Sequence, residues 1–130
     1  MNKLTLFIIA LLLSPVAVAA TPIEQRMADY NPDGNLTFDA KRGEALWHQQ
    51  RMVDGKQRDC NTCHGKDLTQ AGKHVKTGKV IEPMAYSANK ERFTKLKKVK
   101  KWFKRNCKWT YGRECTTQEK GDLLKYLSQY

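Results

Sequence analysis

The sequence predicts a small all-α domain, and three observations carry that prediction. Two stretches in the C-terminal half place apolar residues at helical spacing. No stretch alternates convincingly as a strand, and nothing in the chain repeats. Finally, Cys60-Asn61-Thr62-Cys63-His64 gathers two thiols and an imidazole within one helical turn.

Residues 1–20 read as a cleaved signal peptide rather than as part of the fold. Lys3 supplies a positive start, and Leu4 to Leu13 is an apolar run shorter than a membrane span needs. Pro15 ends the run, and Ala17-Val18-Ala19-Ala20 offers small residues for cleavage after Ala19 or Ala20. The expected address is outside the cytoplasm, most simply a bacterial periplasm. The whole chain carries a formal charge of +11, and loss of Lys3 leaves +10, from 23 basic and 13 acidic residues. Export argues against nucleic acid as the partner of so basic a domain. Acidic redox proteins fit better, as does peripheral contact with an anionic membrane surface.

Residues 21–34 show little periodicity and are expected to form a flexible arm ending in the turn Asn31-Pro32-Asp33-Gly34. The domain proper is then 35–130. A first helix is expected from about Asn35 to Met52, with Phe38, Ala45, Leu46 and Trp47 as its apolar positions. Gly43 in its middle costs about 1 kcal/mol of helix propensity, which close approach of another helix would explain. Asp54-Gly55 is expected to close this helix. From Gly65 to Asn89 the chain is rich in Gly, Lys, Thr and Pro and reads as a long loop.

A second helix is expected from about Lys90 to Lys108. Phe93, Leu96, Val99, Trp102 and Phe103 fall on one arc, with Lys97, Lys98, Lys101, Lys104, Arg105 and Lys108 opposite. Asn106 lands among the apolar residues, where an amide needs a partner. The last helix opens on Thr116-Thr117-Gln118-Glu119, a capping box, and continues with Leu123, Leu124, Leu127 and Tyr130 as its apolar stripe.

The Cys60-x-x-Cys63-His64 motif is the attachment pattern of a c-type haem. Its spacing lets two sulfurs on one turn reach the two porphyrin vinyl groups and form thioethers. The next residue then turns its imidazole toward the iron as proximal ligand. A thiol–disulfide redox pair would sit in a βαβ context absent here, and a zinc site lacks its remaining ligands. The long loop would then wrap the porphyrin edge. Cys107 and Cys115 remain, and in an oxidising compartment they are expected to pair, closing a short loop worth roughly 2–3 kcal/mol.

For the sixth iron position, Met84 after Pro83 is the conventional thioether candidate. Met52 reads as helix-end packing, His48 and His74 as solvated, and Asn89 as a helix cap. Asn106 stands apart as a polar residue on an apolar face, with its neighbour Cys107 anchored by the expected disulfide. A core asparagine bonded to backbone carbonyls is the competing reading.

Several segments together resemble the SHP-type cytochromes c. They are Cys60-x-x-Cys63-His64-Gly65, Lys76-Thr77-Gly78-Lys79-x-Ile81, Arg92-Phe93-Thr94, Lys101-Trp102-Phe103-x-Arg105-Asn106-Cys107 and Gly112-Arg113-x-Cys115-Thr116-x-x-Glu119-Lys120. The likeness runs from about Gly43 to the C-terminus. It implies a class I cytochrome c-like fold, with N- and C-terminal helices packed around one covalent haem c and a long loop on the porphyrin edge. It also implies distal ligation by the asparagine preceding the first disulfide cysteine, here Asn106, and it lowers Met84 to the alternative.

An amide oxygen is a hard, weak ligand that suits Fe(III) better than Fe(II). Asn106 is therefore expected to let go on reduction, leaving a position for NO, O2 or CO, and the weak field predicts substantially high-spin iron. Electron carriage and small-diatomic binding are the two function classes left standing, and they are compatible. The resemblance suggests a di-haem cytochrome c and a membrane cytochrome b as redox partners. An enzyme is not expected, because no acid–base pair accompanies the predicted iron site.

Overall fold

A computed structural model of the chain describes residues 18–130. The leader expected over 1–20 therefore lies, but for its last three residues, outside the described range. Five helices dominate the fold, as expected of an all-α cytochrome c-like domain: α1 (Pro22–Asp29), α2 (Ala40–His48), α3 (Asn61–His64), α4 (Leu96–Tyr111) and α5 (Thr117–Leu127). Two small antiparallel pairs sit between them, β1 (Arg51–Val53) with β2 (Lys56–Arg58), and β3 (Gly72–Lys73) with β4 (Val80–Ile81). Among the described residues, no helix is long and apolar enough to cross a membrane.

The frame is the crossing of α2 and α5. A Cβ on Gly43 would lie 2.0 Å from the Asp122 carbonyl oxygen and 2.8 Å from the Tyr126 Cβ, so glycine lets the two helices meet at backbone distance. The expectation that Gly43 marks a close helix approach is thus met. Asp122, 2% exposed, clips the crossing together. Its carboxylate accepts from the Asp39 N–H at 2.8 Å, from Arg42 Nε and Nη2 at 2.8 and 2.9 Å, and from Gln118 Nε2 at 2.9 Å. Burial alone would raise the pKa of this acid, but the donors outweigh it and hold it below the usual carboxylate range. Leu123, Leu124, Tyr126 and Leu127 of α5 then join Trp47 of α2 in the core.

Five expectations need correction. Residues 21–34 are not a free arm. Thr21 accepts from the Glu24 N–H while the Glu24 carboxylate takes the Thr21 N–H, a complete capping box with Pro22 at the first helical position. The resulting helix buries Ile23, ends at the buried Tyr30, and ties to the start of α4 through Arg26, which donates to the Phe93 and Thr94 carbonyls. The first long helix spans only Ala40–His48, because the Asp39 side chain accepts from the Arg42 N–H and caps it there.

Asp54-Gly55 does not end a helix but turns a hairpin. Both residues take positive φ, 50° and 70°, as a two-residue turn between twisted strands requires. Met52 accordingly stands on a strand, 70% exposed, and packs no helix end. The second long helix begins at Leu96 rather than Lys90, because Phe93 adopts φ +64° and interrupts the helical path before it. Its C-terminal end runs on to Tyr111.

The expected loop of 65–89 carries only the β3–β4 pair. The last helix starts where its capping box places it, with Thr116 accepting from the Glu119 N–H.

Candidate haem site

Cys60, Cys63 and His64 share one short turn. Cys60 precedes α3 with helical angles (φ −68°, ψ −32°), and the His64 N–H donates to the Cys60 carbonyl at 3.1 Å. Asp59 fastens the start of this turn, accepting from both the N–H and the hydroxyl of Thr62 at 2.7 and 2.8 Å. From below, Asn61 pins it to α2, accepting the Trp47 indole N–H at 2.7 Å and meeting His48 Nδ1 at 2.7 Å. From the side, β3 presses against it so closely that a Cβ on Gly72 would lie 2.2 Å from the Cys63 carbonyl oxygen. An open hollow of about 650 Å³ runs beside Cys63 and is lined by this hairpin.

The chemistry of the three side chains follows from these surroundings. Both thiols are unpaired. Burial pushes the Cys60 thiol up to about 11, partly offset by the Tyr111 hydroxyl 3.6 Å from its sulfur, so it stays protonated at neutral pH. His64 lies against the Trp47 ring, centroids 5.3 Å apart. Its Nδ1 is buried without a hydrogen-bond partner among the described residues. Burial, and secondarily the Arg92 guanidinium, pull its pKa down to about 4. A neutral imidazole with an uncommitted nitrogen is a ligand in waiting. Arg92 is itself held over this region by donating to the Pro83 carbonyl at 2.6 Å and to the Glu82 carbonyl.

Asn106 lies on α4, one residue before Cys107, which is joined to Cys115 with Cα atoms 5.6 Å apart. The structure corrects the idea that it could be a core asparagine bonded to carbonyls: the residue is exposed, and among the described residues its amide makes no hydrogen bond. Trp102, one turn earlier on α4, is 40% exposed, whereas Val99 and Phe103 pack against the core. Met84 is half-buried and packs against the same core.

The other sequence candidates are occupied elsewhere. His48 meets Asn61, the Thr77 N–H donates to His74 Nδ1 at 3.2 Å, and Asn89 accepts the Glu91 N–H at 3.1 Å, a turn rather than a helix cap. Two unpaired thiols, a neutral histidine with an unsatisfied ring nitrogen and an uncommitted amide fit a covalently attached haem. Sequence reasoning missed Asn61, Arg92 and Tyr111, which brace or face this site. Asn61 occupies a position the motif leaves variable, and the contacts of Arg92 and Tyr111 span 9 or more residues, so no local pattern marks them.

A profile of the family described as "Domain of unknown function (DUF1924)" matches residues 33–127. The chain is 42% identical over 125 residues to the cytochrome c-type protein SHP of Cereibacter sphaeroides, covering 95% of each chain. It is 31% identical over 112 residues to cytochrome c'' of Methylophilus methylotrophus, covering 86% of this chain and 71% of that one. The structure of oxidised SHP, an oxygen-binding cytochrome c, matches with a TM-score of 0.76 at 41% identity, over 86% of this chain and 100% of that one. The solution structure of cytochrome c'', which addresses haem-ligand detachment, matches with a TM-score of 0.70 at 27% identity, over 83% of this chain and 93% of that one.

Proposed function

This chain belongs to the SHP-type cytochromes c, and from that premise we propose an exported, periplasmic electron-transfer protein in which Asn106 guards the iron only while it is ferric. Its cofactor is a single c-type haem with iron, and small diatomic ligands are the class its relatives support. When bound, the haem supplies a one-electron couple and a coordination position. Cys60 and Cys63 tether it through their sulfurs. His64 would hold the iron through its imidazole, kept neutral by its buried setting and kept in place by Trp47. Asn106 would bind it through its amide oxygen, its backbone steadied by the disulfide at the next residue.

The observation that carries this reading is the uncommitted, exposed amide of Asn106 beside a disulfide-anchored Cys107. Tight backbone anchoring combined with a weak, hard donor is what a releasable ligand needs, because little is lost when the amide swings away on reduction. The position freed in this way would accept NO, O2 or CO. Met84 is the alternative ligand, and its packing against the core accounts for it without iron.

Absorption spectra of oxidised and reduced protein, with and without NO, on the wild type and on Asn106→Ala test the assignment. The oxidised wild type should be substantially high-spin, and Asn106→Ala should bind NO without prior reduction. A low-spin oxidised spectrum with a thioether–iron band overturns it and points to Met84.

For partners, the lysine face of α4 (Lys97, Lys98, Lys101 and Lys104) is solvent-exposed and unopposed by acid on its own helix. It suits steering toward acidic redox proteins, for which a di-haem cytochrome c and a membrane cytochrome b are the partners the resemblance suggests, and toward an anionic membrane surface in passing. Raising ionic strength should slow reduction by an acidic partner, and replacing these lysines by glutamine should flatten that salt dependence. An unchanged rate at high salt would leave the lysines as ordinary surface.

A further inference from the structure

We infer that Trp47, Tyr126 and Tyr130 form a route by which an electron from the protein surface reaches the haem after peroxide has oxidised it, leaving the oxidising equivalent at Tyr130. The inference rests on His64 holding the haem. From the His64 ring the aromatic centroids follow at 5.3 Å to Trp47, 6.1 Å to Tyr126 and 5.5 Å to Tyr130. Tryptophan and tyrosine are among the side chains most easily oxidised by one electron. Tunnelling falls off exponentially with distance, so rings in near contact turn one long transfer into short hops. The first two rings are each 4% exposed, and Tyr130 is 41% exposed. The chain thus leads from a buried ligand to water.

The end point follows from where the phenolic proton can go. Oxidising a tyrosine expels that proton, so the radical settles where something accepts it. Tyr126 is sealed in the core with its hydroxyl 3.3 Å from that of Tyr130, so the proton it sheds on oxidation shifts onto that neighbour and returns when Tyr130 re-reduces it. Tyr111 lies nearer the attachment cysteines, its hydroxyl 3.6 Å from Cys60 sulfur. It is 8% exposed and donates to the Leu46 carbonyl at 2.7 Å, which leaves its proton no path to solvent. Tyr130 has water, and the Ser87 N–H donating to its carbonyl at 3.0 Å keeps the residue seated beside Tyr126.

The electrons balance with hydrogen peroxide as oxidant. Breaking its O–O bond brings both oxygens to the oxidation level of water and takes two electrons. One comes from the haem iron. The other comes from Tyr130 through Tyr126 and Trp47, while the Tyr130 proton passes to bulk water. The neutral phenoxyl radical then either regains one electron and one proton from an external donor such as ascorbate, or couples with a second copy. Coupling forms one carbon–carbon bond, and the ring hydrogens return to the oxygens, giving dityrosine.

The experiment treats ferric holoprotein with hydrogen peroxide and follows the tyrosyl signal by freeze-quench electron paramagnetic resonance and the dityrosine dimer by fluorescence and denaturing gel. Wild type, Tyr130→Phe and Tyr126→Phe are compared after confirming that their haem absorption spectra agree. The wild type should give both signal and dimer, ascorbate should abolish the dimer, and Tyr130→Phe should lose it. Tyr126→Phe keeps the exposed Tyr130 and the packing but removes the middle step, and should lose most of the dimer. An absent dimer in the wild type, or wild-type dimer in Tyr126→Phe, overturns the route. Failure of the haem assignment is distinguishable, because it would show as a haem spectrum that His64→Ala leaves unchanged.

Discussion

The crossing of α2 and α5 and the surface shared by the attachment turn and α4 follow opposite rules. At the crossing, Gly43 admits the Asp122 backbone, and the buried Asp122 carboxylate accepts four hydrogen bonds. At the attachment turn, His64 keeps a buried ring nitrogen without a partner among the described residues and two cysteines remain thiols, while on α4 the Asn106 amide makes no hydrogen bond among the described residues. Buried polar groups ordinarily find partners, so a buried His64 nitrogen left without one, beside two unpaired thiols, marks chemistry rather than architecture. A self-sufficient crossing is what allows the other face to hold its donors in reserve.

The sharpest way to break this contrast is Gly43→Ala. The new Cβ meets backbone, which cannot step aside, so destabilisation should reach about 3 kcal/mol or more, a fall in Tm of about 10 °C or beyond. Gly121→Ala should cost less, since the nearest atoms to its Cβ belong to the ring of Phe38, a half-buried side chain able to swing. Equal losses in thermal melts would mean that α2 and α5 are not held at backbone distance.

Next comes Asp122→Ala, which leaves the Asp39 N–H without its acceptor and leaves Arg42 and Gln118 with the Thr37 carbonyl as their remaining acceptor. Arg42 is half-exposed and can rehydrate, so about 2 kcal/mol is expected by denaturant unfolding. A loss near zero would show that water replaces the clip without cost.

Glu119→Gln probes the cap of α5 and should show a pH signature. Bonding to Arg113 draws the Glu119 carboxyl down to about 2, against opposition from its partial burial, and the Thr116 N–H adds to the effect. A depressed acid contributes stability above its unfolded pKa near 4.5 and loses that contribution as pH falls toward 2. Arg113 is half-exposed, so solvent screening keeps the effect below about 1 kcal/mol. The Tm gap between wild type and variant should be constant near neutrality and close between pH 4.5 and 2; a gap that persists at pH 2 contradicts the ion pair.

The smallest stability effect is expected from the largest spectroscopic one. Asn106→Ala removes a side chain that bonds nothing, so the reduced protein should melt within about 0.5 kcal/mol of wild type while its ligand-binding spectrum changes. A large destabilisation in the reduced state would return Asn106 to an architectural role.

Some of these features were plain in the chain itself. Thr116-x-x-Glu119 places the start of α5, and Gly43 signals a close helix contact before any partner helix is known. The same grammar was present and overlooked elsewhere. Thr21-Pro22-Ile23-Glu24 is also a capping box, with proline at the first helical position, and Asp54-Gly55 is a hairpin turn rather than a helix end. Both were masked by the weak periodicity around them, because α1 has only eight residues and β1 three. The positive φ of Phe93 had no signal at all, since an aromatic residue disfavours that region and adopts it only under tertiary constraint.

By itself, then, the sequence determined that two thiols and an imidazole meet within one turn, because their spacing along the chain sets that. It also determined where α5 starts, because the Thr116–Glu119 capping box bonds within three residues. Only the tertiary structure decided that Trp47 backs His64, that Asn61 locks the attachment turn to α2, that Asp122 clips the frame, and that an aromatic line runs out to Tyr130. Those contacts join residues far apart in sequence, and they exist only once the backbones of α2 and α5 have met.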